Sequence, residues 1–507
     1  MKKSAQSLEF SDKDKFFVSF YNGKDDLDNS REMNAPSIFQ DRGIEFNSNI
    51  TDLTEWGNTG VSLNWSRDWA DFFTSELTAS YSKFFNNRER NMEMEISIAD
   101  DVDFPQMFKL RNRQSGLIED NDVNDLTLRW NNIFHLSQNN LLEWGIQFTK
   151  HDISYNFDTQ EPEETEEEED NEEQAPPRPF FNVLDRSSKA QVIAGYIQDQ
   201  WTFFDRLTFT PGIRLTYFDL TEDTYFEPRF SFSLNLTEQI KLKGAWGKYY
   251  QFVSRIVRED VFQGNREFWS LADGDSIPVG SAVHYIAGLS FDTKMFLFDC
   301  ELYYKDLAGL AEFAPRSSVF FQDIDSAQFF YQGTGVAKGL EFLLQKKYGD
   351  LTGWISYTLG SVEYNFPDLS DALFPATQDQ THELKVVGMY EIADWTFSAT
   401  WIYATGKSYT PPEGIETITL PSGRTLNQVV IGDKNSARLP DYKRLDLSAN
   451  YRFMMGDWKA TIGASLFNVL DWTNVWYKEF DVIEGEIVET DVTLMGMTFN
   501  VFLNVRF

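Results

Sequence analysis

Two kinds of connection alternate along this chain, and that alternation constrains its fold more than any single segment does. Tight polar turns stand at 67–71, 137–140, 204–206, 237–239, 292–293, 349–350, 393–394 and 454–457. Between them come long polar segments at 23–56, 84–123, 156–186, 251–279, 307–326, 366–379, 407–439 and 471–492, with one short exception at 221–224. A meander with this rhythm puts all its tight turns at one end and all its long loops at the other. Short periplasmic turns and longer extracellular loops are the asymmetry of bacterial outer-membrane barrels, and a soluble meander has no reason to show it.

The segments being connected read as strands, because apolar residues recur at every second position and helical spacing nowhere competes. Leu207, Phe209, Ile213, Leu215 and Tyr217 alternate with Thr208, Thr210, Arg214 and Thr216. Phe296, Phe298, Cys300, Leu302 and Tyr304 do the same, as do Trp395, Phe397, Ala399, Trp401 and Tyr403. Leu445, Leu447, Ala449, Tyr451 and Phe453, then Trp458, Ala460, Ile462, Ala464 and Leu466, make two more. The chain closes on MTFNVFLNVRF, with Met497, Phe499, Val501, Leu503, Val505 and Phe507 on one face. Roughly eighteen such strands fit the period-two template. With the first full strand running outward, an even count places both termini on the periplasmic side.

Composition agrees with a membrane wall of strands. No stretch approaches the ~20 apolar residues of a spanning helix. In a barrel only alternate residues meet lipid, so a charged fraction of 24% and a mean hydropathy of -0.41 are compatible with membrane residence. The 45 Phe, 21 Tyr and 14 Trp suit aromatic girdles. A net charge of -34 argues against a nucleic-acid partner, which needs a basic footprint. Much of that charge lies in EPEETEEEEDNEE at 161–173, followed by Pro176 and Pro177, and 158–179 is expected to be a disordered acidic extracellular loop. The single cysteine, Cys300, excludes a disulfide framework and reads as a small apolar residue. MKKSAQSLEF has two lysines without an apolar run behind them, so it is not a secretory signal.

Motifs that would carry chemistry fail on spacing. His135, His151, His284 and His382 fall on different strands, and His382-Glu383 lacks the second histidine of a zinc-protease motif. GTGVAKG at 333–339 has its third glycine one residue late for a dinucleotide loop and continues into a strand. Asp299 and Glu301 share the polar face of one strand and read as lumen charges that would tune passage of cations. Aromatics in the long segments, Phe262, Phe268 and Trp269 in one and Phe320, Phe321, Phe329 and Phe330 near another, could stack on a ligand, but loop packing or a girdle is the plainer reading. No catalytic, cofactor-binding, metal-binding or substrate-binding residue is assigned, and an enzyme is not expected.

Several segments resemble the barrel of TonB-dependent outer-membrane receptors. They are AGYIQDQWTFFDRLTFTPGIRL (194–215), FEPRFSFSLNLTEQIKLKGAWGKYYQ (226–251), GTGVAKGLEFLLQKKYGDLTGWISYTLG (333–360), DQTHELKVVGMYEIADWTFSATWIYATGKSYTPP (379–412), RLPDYKRLDLSANYRF with GASLFNVLDWTNV (438–475), and the terminal MGMTFNVFLNVRF. The resemblance implies an all-β, transmembrane, antiparallel up-and-down β-barrel, here roughly 18 strands of a presumed 22-strand barrel. By the same resemblance, residues 1–12 are the remnant of an incomplete strand or turn, and the signal peptide, the plug and most of the first four strands are absent.

The function that follows is TonB-energised uptake of a scarce nutrient, a siderophore, vitamin or oligosaccharide, across the outer membrane of a Gram-negative cell. The chain reads as a fragment not competent for coupled transport alone, because TonB acts only through the plug. Its other implied partners are outer-membrane lipid and the barrel-assembly machinery, the latter through the terminal strand ending in Phe507. Two alternatives differ in kind: a passive porin of about eighteen strands, whose lumen would conduct, and a surface-binding or adhesion barrel that transports nothing.

Overall fold

The computed structural model describes residues 2–9, 11–34, 44–98, 110–166, 180–315, 326–419, 425–483 and 486–506. Nearly all of them are extended, and one antiparallel meander makes the wall. It runs from Lys2–Glu9 through Asp14–Asp28, Ile44–Ala70, Phe73–Ile98, Leu110–Ser137, Asn140–Glu166, Phe181–Phe203 and Leu207–Phe218 to Asp223–Asn235 and Ile240–Gln251. It continues through Gly280–Asp292, Phe296–Phe313, Phe330–Lys346, Leu351–Asn365, His382–Ile392, Trp395–Ala404, Tyr442–Met455 and Trp458–Phe467 to Thr498–Arg506. The tight turns fall where the polar tetrads of the sequence place them. Tyr442–Met455, for instance, pairs with Trp458–Phe467 from Leu447↔Leu466 to Met455↔Trp458.

Wall residues expose their apolar side chains outward and their polar ones inward. On Leu110–Ser137, Leu126, Leu128 and Trp130 are exposed, and Asp125, Thr127 and Arg129 alternate with them on the other face. An apolar row turned away from the polar interior is stable only in lipid. Aromatic rings are prominent among the exposed residues of the short-turn end: Trp69, Phe72, Phe204, Tyr348, Trp395 and Trp458. Phe204 adopts φ 54° and is 91% exposed. A bulky residue in the left-handed region with no protein around it belongs at the headgroup level, where amphipathic rings collect.

Polar side chains line the inside in ladders. Lys243 lies 2.9 Å from Asp299 and 3.0 Å from Glu301, so these two carboxylates share one ammonium on the inner wall. His151 meets Asp125 at 2.5 Å, and His382 meets the Tyr357 hydroxyl at 2.9 Å. GTGVAKG sits inside the strand Phe330–Lys346.

Three expectations need correction. First, long segments read as loops are largely strand. The four consecutive strands Ile44–Ala70, Phe73–Ile98, Leu110–Ser137 and Asn140–Glu166 have 27, 26, 28 and 27 residues, whereas about 9–11 residues span a membrane. These hairpins therefore stand well clear of the bilayer. In their outer halves the row of exposed apolar residues that marks a lipid-facing strand stops while the pairing goes on, and apolar residues such as Leu117, Ile153 and Tyr155 are buried under the loops instead. Second, residues 158–166 of the acidic segment belong to the strand Asn140–Glu166, with Asp158 opposite Asn182 and Thr159 opposite Phe181; residues 167–179 lie outside the described residues. Third, Lys2–Glu9 is a strand, in register from Lys2↔Asn22 to Glu9↔Lys15. It puts the amino terminus up the wall and not at the turn end. KKSAQSLE has no alternating apolar residues, so periodicity could not show this strand.

Lys2–Glu9 and Thr498–Arg506 are the two ends of the meander. Among the described residues no hydrogen-bonded pairing joins them. The terminal strand is exposed on both faces, with Phe499, Val501 and Leu503 on one and Phe502 on the other. Phe507 lies outside the described residues.

Candidate functional site at the loop end of the wall

At the long-loop end the connections fold over the mouth of the barrel, and the main cluster of buried apolar residues lies there. The hairpin Val253–Arg258 and Arg266–Leu271 leaves the wall between Ile240–Gln251 and Gly280–Asp292 and crosses to Leu110–Ser137 and Asn140–Glu166. Its docking is specific. The Trp269 amide donates to Asn121 Oδ1 at 2.7 Å, and Asn121 Nδ2 donates to the Trp269 carbonyl at 3.1 Å, so one side-chain amide stands in for a missing strand partner. Phe268 stacks on Tyr155 at 3.8 Å, and both are almost wholly buried with Leu117, Ile153, Ile256 and Leu271.

Charges are drawn into the same region. Tyr155 Oη donates to Glu119 Oε1 at 2.6 Å, and Arg258 Nη2 reaches Glu119 Oε2 at 3.3 Å. The Arg258 guanidinium also covers the Phe157 ring at 4.1 Å. Burial opposes its charge, but Glu119, the Tyr155 hydroxyl and Asp260 outweigh that cost and hold its pKa above the ordinary arginine value. Asp52 and Arg88 form a bidentate pair at 2.8 and 2.8 Å, both buried.

A second hairpin, Val475–Ile483 with Glu486–Thr493, comes from the last long connection and reaches the opposite end of the meander. Glu479 accepts from Arg90 at 2.8 Å and pairs with Arg31, and Asn29 contacts the Tyr477 hydroxyl at 3.5 Å. The Phe480 amide donates to the Phe262 carbonyl at 2.9 Å, so the two hairpins meet over the mouth. Ion pairs thus bridge the amino- and carboxyl-terminal ends of the wall at the loop side.

The third tie is a buried triad. Lys434 Nζ lies 3.0 Å from Glu259 Oε1 and 2.8 Å from Glu312 Oε2, and all three residues are buried. Thr410 Oγ1 donates to Glu259 Oε1 at 3.0 Å, and Asn435 Nδ2 donates to the Pro375 carbonyl at 2.8 Å. Four connections, 251–279, 307–326, 366–379 and 407–439, are held together here. Burial alone would lower the lysine pKa, but Glu312 and Glu259 prevail and raise it.

Of the aromatics singled out from sequence, Phe268 and Phe329 are buried in loop packing, and Phe330 packs on Phe313 at 5.0 Å under the Arg186 guanidinium. Trp269 is half-buried and fixed by Asn121, and Phe262 is exposed. Phe320 and Phe321 lie outside the described residues. Sequence reasoning missed Asp52, Arg88, Glu119, Tyr155, Arg258, Glu259, Glu312, Lys434 and Glu479, because single charges far apart in sequence leave no periodic trace. Among the described residues no group of three His, Cys, Asp or Glu is placed to hold a metal.

An antiparallel wall that is apolar outside and polar inside, ringed by aromatics at its turn end and covered by folded loops at the other, defines an outer-membrane β-barrel. The family description "TonB dependent receptor-like, beta-barrel" matches residues 6–469, and the chain belongs to that family. Solved structures of such receptors share the fold. A variant of the ferric enterobactin receptor of Pseudomonas aeruginosa superposes with a TM-score of 0.51 at 14% identity, over 99% of this chain and 79% of that one. The ferric preacinetobactin receptor of Acinetobacter baumannii gives 0.53 at 11%, over 98% and 74%. The FrpB iron transporter of Neisseria meningitidis gives 0.51 at 10%, over 99% and 80%. No curated protein matches the chain in a sequence comparison. Membership in this family makes the chain an outer-membrane receptor barrel.

Proposed function

We propose that this chain is the main body of a receptor for TonB-energised uptake of a scarce nutrient, and that its wall is completed by strands outside the nineteen-member path traced here from Lys2–Glu9 to Thr498–Arg506. The observation that carries the proposal is the direction of the two end strands. Lys2–Glu9 runs toward the tight turn at 11–13, and Thr498–Arg506 runs from a long connection to Arg506, opposite Lys459 beside the tight turn at 456–457. Both therefore run toward the turn end. Direct closure between them would be a parallel seam in an otherwise antiparallel wall, and an odd number of added strands restores antiparallel pairing throughout. An unpaired edge in lipid costs several kcal/mol per unsatisfied backbone group, so the wall alone is a poor membrane body.

In this reading the ligand is received at the folded mouth, and coupling to TonB resides in the plug that the family resemblance implies. The test is reconstitution of the 507-residue chain in lipid, read by SDS resistance before heating and by single-channel conductance. An SDS-labile chain without steady conductance is the expected result. An SDS-resistant band with a stable aqueous conductance refutes the need for further strands and favours the passive porin.

A further inference from the structure

Among the described residues, most of the arginines packed at the mouth meet a carboxylate. Arg31 and Arg90 meet Glu479, Arg88 meets Asp52, and Arg258 meets Glu119 and Asp260. Arg266, on the same hairpin as Arg258 and directly opposite it in register, has no carboxylate within 4 Å and donates no hydrogen bond among the described residues. Its Nε is shut away from solvent without an acceptor. Its guanidinium lies over the rings of Trp476 and Tyr477, at 5.7 and 5.4 Å. The residue as a whole is half-buried, so its fork remains reachable, and Trp476 and Phe262 nearby in the chain of contacts are exposed. Burial, and then the neighbouring Arg88 cation, push the Arg266 pKa below the ordinary arginine value. Asp52 and Glu119 act on it from a distance, but no carboxylate among the described residues is in contact with its fork.

We infer that Arg266, steadied by Trp476 and Tyr477, is the binding group for a carboxylate of an anionic ligand entering the barrel mouth. A guanidinium held against aromatic faces keeps its planar fork oriented, and that fork matches a carboxylate with two parallel N–H···O bonds. Aromatic rings beside it contribute apolar contact and cation–π support. A neutral oligosaccharide gives this cation no charge to neutralise. The assignment rests on the uptake reading only in taking the mouth as the receiving face; the chemistry of the site stands apart from transport.

The test is direct binding to the full chain in detergent, with tricarballylate as probe and its neutral triamide as the control. The parent chain is expected to bind the tricarboxylate and not the triamide. R266Q should weaken that binding about tenfold or more, and R266K should fall between, because an ammonium keeps the charge but loses the fork. R255Q, on the same hairpin where Arg255 already pairs with Glu267, should leave it unchanged. Equal binding by R266Q and the parent, or no binding of tricarballylate by the parent, overturns the inference. Retained fold in R266Q is checked by an unchanged tryptophan emission spectrum. Uptake by cells is measured separately: loss of binding in R266Q with no uptake by the parent supports the site and refutes the uptake reading, whereas uptake indifferent to R266Q with equal binding refutes the site alone.

Discussion

Replacing Lys434 by methionine should loosen the cap and leave the wall intact. The side chains are similar in length, so the change removes one charge from a buried group of three and little else. Glu259 and Glu312, both buried, then lose the ammonium that lies between them. Breaking a buried ion pair from one side costs about 3–5 kcal/mol, and at 1.36 kcal/mol per factor of ten that is about 2.2 to 3.7 powers of ten in the local opening constant. Two backbone amides report it. Asn435 N donates to Thr410 Oγ1 at 3.1 Å, and Glu259 N donates to the Phe313 carbonyl at 2.8 Å, both within the tied region. Hydrogen exchange at these amides should accelerate by at least about a hundredfold, because local opening sets protection there, while amides of Trp395–Ala404 should not change. Removing all three charges in K434M/E259Q/E312Q should recover most of the protection, since the penalty comes from the uncompensated carboxylates. Exchange in K434M within a factor of about three of the parent would refute the claim that this triad holds the loops.

Asn121→Ala removes both hydrogen bonds that dock Trp269; losing them should cost about 1–3 kcal/mol and expose the 253–271 hairpin to limited proteolysis ahead of the wall. Leu128→Arg should destabilise the wall by about 2–4 kcal/mol, and Thr127→Arg, one residue away on the luminal face, by much less, as read by denaturant unfolding in lipid. Asp273 gives a pH test. Burial works against its charge, but the Ile277 amide and the Arg186 guanidinium, at 2.9 and 2.6 Å, outweigh it and hold the carboxyl below the ordinary range. Its folded pKa is depressed, so its stabilising contribution is present above the unfolded value of about 3.9 and is lost as pH falls through the folded value. Protection of the 272–279 loop should stay level from about pH 8 to pH 5 and drop below about pH 4, and D273N should remove that acid dependence.

The wall was legible because lipid on one side and water on the other impose a period of two on every strand. Leu445 to Phe453 and Trp458 to Leu466 declared themselves, and so did the turn at 454–457 between them. Beyond the membrane the period vanishes although the pairing persists, as in the outer parts of Phe73–Ile98 and Leu110–Ser137, where buried Arg88, Arg90, Glu119 and Asn121 are charged or polar. Lys2–Glu9 was invisible because KKSAQSLE has no alternating apolar residues. The mouth was illegible for a different one. Lys434 finds Glu259 across 175 residues, and Arg90 finds Glu479 across 389; such pairs are fixed by how loops return over the barrel, and nothing local announces them. The aromatics of the loops were visible, and Phe268 and Phe329 took the packing role that the plainer reading gave them.

The central claim is that the turn end faces the periplasm and the folded mouth faces outward across a membrane wall. Cysteine labelling tests it most directly. In a Cys300→Ala background, which removes the chain's single thiol, F262C places a thiol at the exposed tip of the mouth hairpin and N139C places one in a tight turn. A membrane-impermeant maleimide added to intact cells expressing the complete receptor should label F262C and spare N139C until the outer membrane is permeabilised. Labelling of N139C in intact cells with F262C protected, or equal labelling of both, would contradict the account.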